Sequence, residues 1–348
     1  MFNSGSQRIS VSVMFLLCLF NCGFASADDK ISVTMTNQQR YIAPLASSAQ
    51  VPELLMKIPF GEGESEVCGY IQDVDRITNG IPYSFMVLEN ESAWILDSIA
   101  GKLKLFSKNG SLVSKIQLAT ATDEKITLIA DFAQAPQNGF YVYSAFDGLV
   151  KRISNAGETI VEIEGLNDSL CIGRDKRGNV LVKNLIKGGL FRFNPSGEII
   201  DLYQGQKDLS VYSDINGLPY GIRGENDTSA SLFKSSCASP AAEIQIASFS
   251  IGTSTAKDVH IVNRKILGTD ALWNIYVEIT ACDNDGIIHF NKFFKVSPEG
   301  KILSSIDFIN PKTVISPDLP RHRVVSPQGK IIAFEVTEKY YSLVYYRF

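Results

Sequence analysis

Histidine is nearly absent from this chain: 348 residues hold only His260, His289 and His322. There is no Cys-x-x-Cys pair and no His-Glu-x-x-His run, so the ligand spacings of zinc sites are lacking and no metal is expected. A Gly-rich phosphate cradle is also missing, and no cofactor is expected. Gly252-Thr253-Ser254-Thr255-Ala256 lacks the last glycine of a nucleophile elbow, and no catalytic residue is assigned. Charge of one sign is scarce too. Lys and Arg number 33 against 37 Asp and Glu, and a net charge of -4 gives no electrostatic reason to expect nucleic acid as partner. Finally, no long 3.6-residue periodicity occurs. A chain 45% hydrophobic with 26 glycines and no helical pattern points to an all-β sandwich, barrel or repeat array.

The first 27 residues stand apart. Arg8 precedes an apolar run from Ile9 to Phe20, and Ala25-Ser26-Ala27 is a small-x-small cleavage pattern. This reads as a secretory signal peptide, so the protein is expected to be exported, periplasmic or extracellular, with no transmembrane span after cleavage. Leu19-Phe20-Asn21 departs from the small residues that lipid anchoring at Cys22 requires. Residues 28–51 are polar and read as a flexible tether, and the folded domain is expected over 52–348. Four cysteines remain in the mature chain: Cys68, Cys171, Cys237 and Cys282.

What is present is a repeat. From Gly80 to Leu118, four short runs rich in β-branched and aromatic residues are separated by turn signals, which predicts a four-stranded antiparallel meander. Its third strand and turn, Leu103-Lys104-Leu105-Phe106-Ser107-Lys108-Asn109-Gly110, returns at Val150–Gly157, Leu190–Gly197 and Phe293–Gly300. Most of these glycines recur at the roughly 40–50 residues typical of propeller blades. A degenerate unit fits between them, with strands near Leu218–Arg223, Ala230–Lys234, Glu243–Phe249 and Val259–Val262. The last unit has three strands, ending at Tyr340–Tyr346. A bare sheet edge there would expose unpaired backbone groups, and Leu54–Phe60 is the natural filler. The sequence thus predicts an all-β, six-bladed β-propeller whose last blade is closed by the N-terminal strand.

The succession Gly-x-Pro-x-x-Phe-x-Val, a strand ending in Asp97, and a strand followed by Phe-x-x-x-Gly resembles the NHL-repeat group of six-bladed propellers. It is most similar to exported bacterial members that begin with an Ile-Pro-Phe-Gly strand, here Ile58-Pro59-Phe60-Gly61. Blade 2 departs by lacking the Gly-x-Pro start, and blade 4 by lacking the closing marker. The resemblance implies a binding propeller for proteins, glycans or small ligands; some relatives are lyases or hydrolases.

First strands line the axis of a propeller, so their starts surround one mouth of the channel. Gly80-Ile81-Pro82-Tyr83 and Gly217-Leu218-Pro219-Tyr220 share one frame three blades apart, which would set Tyr83 and Tyr220 facing across that mouth. Arg321-His322-Arg323 follows the equivalent Leu319-Pro320 in blade 6. Two aromatics and a basic cluster suit a ligand with a flat or apolar part and an anionic group. A lyase or hydrolase acting on an anionic carbohydrate or peptide-like substrate is the alternative, with His322 and a tyrosine exchanging protons. Cys237 and Cys282 are read into second-to-third-strand loops of neighbouring blades, which makes them a candidate disulfide. Asp97 is expected to cap a turn, and Asp283-Asn284-Asp285-Gly286 reads as a turn because Phe294 stands where a calcium loop needs glutamate.

Overall fold

The computed structural model describes residues 32–34, 40–41, 49–68, 82, 84–118, 129–145, 147–167, 169–184, 189–204, 208–236, 243–252, 259–308, 323–337 and 339–348. They form six antiparallel sheets in which sequence neighbours pair, apart from the closing blade and one added edge. Blade 1 comprises Phe85–Val87, Ala93–Asp97, Lys102–Phe106 and Leu112–Gln117. Blade 2 comprises Ile129–Gln134, Phe140–Ser144, Leu149–Ile153 and Thr159–Ile163, and blade 3 Ser169–Arg174, Val180–Asn184, Gly189–Phe193 and Ile199–Tyr203. Blade 4 runs Leu209–Ser213, Pro219–Asn226, Ser229–Ser235 and Glu243–Gly252; blade 5 runs His260–Thr269, Ile275–Cys282, Ile288–Val296 and Ile302–Asp307. Blade 6 takes Arg323–Val325, Ile331–Val336 and Tyr340–Tyr346 from the C-terminus and Glu53–Pro59 from the N-terminus.

The closure is the one the incomplete last repeat demands. Tyr340 pairs with Pro59 and Tyr345 with Glu53, so the outermost strand of the ring comes from the other end of the chain. The seam is apolar: Met56, Ile58, Phe85, Phe334, Tyr341 and Leu343 share one buried cluster that joins blade 6 to blade 1. The first strands of blades 2 to 6 touch in succession, that of blade 6 meets that of blade 1, and that of blade 2 meets the second strand of blade 1.

One turn design recurs between strands. An Asp, Asn or Ser accepts backbone N–H bonds from residues two and four positions on, and a left-handed residue sits between them. Asp175, Asp214, Asp283 and Asn194 all do this. The left-handed position is glycine at 178, 217, 286, 197 and 300. Gly300 is held to this residue type twice over, since a Cβ there would lie 1.8 Å from the Ile246 carbonyl oxygen of blade 4. Asp283-Asn284-Asp285-Gly286 is one of these turns. Asp97 accepts from the amides of Ala100 and Cys68, and its carboxylate pairs with buried Lys104.

Two expectations change. Blade 4 begins one strand earlier than the repeat predicts: Leu209–Ser213 is its first strand, and the run from Val259 opens blade 5. Within 28–51, read as a tether, Ser32–Thr34 pairs antiparallel with the end of the blade 4 outer strand, and Arg40–Tyr41 folds back on it. That outer strand, at 10 residues one of the two longest in the ring, offers the backbone edge that this pairing takes up.

Candidate functional site

Blades 4 and 5 are taller than the rest. The second strands of both start directly after their turns, as in blade 3, but run 8 residues instead of 5. The surplus therefore lies at the end where first strands start, and three residues at the strand rise raise a wall about 10 Å high. A backbone bond ties the two blades together there, from Ile261 N of blade 5 to Asp227 O of blade 4 at 2.6 Å, and a second, from Ile251 N to Thr228 O at 2.8 Å, braces the blade 4 hairpin from its own outer strand. Ile251, Val259, Ile261, Ala281 and Phe290 fill the space between them, so the wall is packed rather than a pair of loose hairpins. The second strands of blades 6 and 1 beside it are shorter, at six and five residues. Among the described residues the mouth is thus a lopsided cup. Deeper in, an added Cβ at Gly268 would lie 3.3 Å from Val325 and 3.6 Å from the Tyr212 ring, so the first strands of blades 4, 5 and 6 converge.

Polar chemistry gathers on the blade 5 side of this cup. His260 opens the first strand and pairs in register with Cys282, placing Nε2 3.9 Å from Sγ. His289 lies 2.7 Å from the Asp283 carboxylate, and that bond holds the Asp283 carboxyl below its ordinary value. One level down, Arg323 Nη1 donates to both Glu278 oxygens at 2.7 Å, and Asn263 donates to the same carboxylate at 3.0 Å. The Arg323 guanidinium also lies over the Phe308 and Phe293 rings. This buried pair joins blade 5 to blade 6. On the opposite side, Asp131 accepts from Ser84 Oγ at 2.5 Å and from Ile172 N at 2.8 Å, linking blades 1, 2 and 3.

The sequence-derived residues fall unevenly on this geometry. Tyr220 is wholly buried, and it stands on the second strand of blade 4, not the first. Burial drives its hydroxyl pKa upward, and that oxygen has no hydrogen-bond partner among the described residues. Arg323 does start a first strand, but its charge is matched by Glu278 at 7% exposure. Tyr83, Arg321, His322 and Cys237 lie outside the described residues. Cys282 ends a second strand, and its candidate partner Cys237 is among the residues not described.

The repeat predicts Val259–Val262 as an outer strand, which would keep His260 away from the mouth. The signal was nonetheless there: Asp270-Ala271-Leu272-Trp273-Asn274 has the frame of Asp175–Asn179, which marks the strand before it as a first strand.

No family model matches the chain, and neither does any curated protein. Among solved structures it is similar to virginiamycin B lyase from Staphylococcus aureus, at 11% identity and a TM-score of 0.45, over 76% of this chain and 94% of that one. It is also similar to a protein of Bacteroides fragilis, at 11% identity and 0.47 over 85% and 95%, and to the RRP9 WD40 repeats, at 8% and 0.44 over 78% and 96%. The strand pairing itself identifies the chain as a six-bladed β-propeller of four-stranded blades.

Proposed function

We propose that this is an exported, NHL-like propeller that binds a protein, glycan or small ligand in the cup where the first strands start, without turning it over. The observation that supports the reading is the unequal height of the second strands around the mouth: eight residues in the packed wall of blades 4 and 5 beside six and five in blades 6 and 1. A concave surface walled on one side and polar at its base suits a bound ligand. In this reading Arg321 and His322, directly ahead of Arg323, recognise an anionic group, and Tyr83, just ahead of the first strand of neighbouring blade 1, supplies an aromatic surface. Tyr220 and Arg323 act from behind, by packing and by holding blade 6 to blade 5. A panel of anionic sugars and acidic peptides is expected to raise the melting temperature of wild type and not of Arg321→Ala. A panel without effect, or an unchanged shift in Arg321→Ala, would sink this reading.

The second reading, a lyase or hydrolase acting on an anionic carbohydrate or peptide-like substrate, draws support from the histidines of blade 5. His260 and His322 both precede or open first strands of adjacent blades, and a proton could pass between such groups and a substrate. Turnover that disappears in both His322→Ala and His260→Ala would favour it over simple binding.

A further inference from the structure

The face opposite the cup carries the turns that join first to second strands, and on blades 3, 4 and 5 these turns differ in kind from one another. Blade 3 exposes Lys176 and Arg177 between Asp175 and Gly178, and neither makes an ion pair among the described residues. Blade 4 exposes Ile215 at 46%, and blade 5 exposes Leu272 at 76%, the highest of any large apolar residue described. The turns of blades 3 and 4 abut, because Arg192 of blade 3 donates to the Gly217 carbonyl at 2.6 Å and the Asp175 carboxylate lies beside Gly217.

Trp273 makes this face unusual. It occupies the left-handed slot of the blade 5 turn at φ 65°, where blades 3, 4 and 6 have glycine. A bulky side chain there is a strained choice relative to glycine. The indole is partly exposed and stacks on no other ring among the described residues. Leu272 therefore presents an exposed apolar tip beside Trp273, with Ile215 on the next blade and, beyond it, two cations that make no ion pair among the described residues.

We propose that this face docks an extended peptide segment of a partner protein in which apolar side chains stand next to carboxylates. The apolar part covers Leu272, Trp273 and Ile215, and the carboxylates meet Lys176 and Arg177. The site is separate from the cup, so a ligand in the cup does not compete for it.

The test uses the full mature chain and an array of octapeptides, each carrying two apolar residues beside two carboxylates, with a twin array bearing lysines in place of the carboxylates. Members of the acidic array are expected to bind wild type and to bind Leu272→Asp and the pair Lys176→Glu/Arg177→Glu at least about tenfold more weakly. The lysine array is expected not to bind. Trp273→Gly is expected to weaken binding as well, and unchanged affinity in this variant would remove the indole from the docking surface. The proposal fails if no acidic peptide binds at millimolar concentration, or if Leu272→Asp leaves binding intact. It fails equally if the variant instead abolishes self-association of the wild-type chain or its adhesion to anionic vesicles, which would make the occupant a second copy or a membrane.

Discussion

At the scale of single residues, burial decides what a polar group can do. Arg323 and Glu278 are both nearly sealed from solvent, so removing one leaves the other charged and unmatched. Arg323→Ala is expected to cost about 3–5 kcal/mol in chemical denaturation. The paired replacement Arg323→Met with Glu278→Leu should recover much of that loss, because it removes both charges together. Tyr341 shows the converse case. It is fully buried in the closure seam, against Phe60 and Phe334, and its hydroxyl has no partner among the described residues. Tyr341→Phe is expected to leave stability unchanged or raise it by up to about 1 kcal/mol. A clear loss in the melting temperature would contradict this account of the hydroxyl.

At the scale of the element, the turns carry the repeat, and one of them carries a pH dependence. Burial alone would raise the Asp270 carboxyl, but bonds from the Asn274 side chain and amide, the Tyr276 hydroxyl and Lys295 outweigh it and hold it below the ordinary carboxylate range. A carboxyl lowered by folding stabilises the fold above its unfolded value, near 3.9, and loses that contribution as pH falls through the folded value. The stability advantage of wild type over Asp270→Asn should therefore shrink as urea denaturation is moved from pH 6 to below about 4. An advantage that stayed flat across that range would remove the turn from the acid response. The same turns show which marks could be read in one dimension. Glycine three positions after Ser or Asn is visible in the chain, and it marks the third-strand turns of blades 1, 2, 3 and 5. Trp273 and Glu91, left-handed without being glycine, hide two turns of the same geometry.

At the scale of the molecule, the ring is closed by one strand from the far end of the chain. Deleting residues 50–60 should leave Tyr340–Tyr346 as a bare edge and open the seam around Met56 and Ile58. The expected outcome is loss of the single cooperative unfolding transition, whereas a chain beginning at residue 49 should keep it; a truncated chain that still melts as one unit would show that closure is dispensable. The wall over blades 4 and 5 is likewise a property of the whole. Its hairpins are held by a backbone bond and by packing between two blades, and neither blade would keep that shape alone.

The sequence by itself determined the strand alternation, the spacing of turns, the number of blades and the source of the closing strand. Each of these follows from local chemistry or from an edge that has to be paired. Tertiary structure decided which strand of a degenerate repeat comes first, because alternation alone does not distinguish a first strand from a fourth. That single shift moved Tyr220 from the mouth into the core and brought His260 to the mouth beside Cys282. It also decided that Arg323 would meet Glu278 of the adjacent blade, since a contact between residues 45 positions apart depends on how two sheets stack and leaves no mark in either strand.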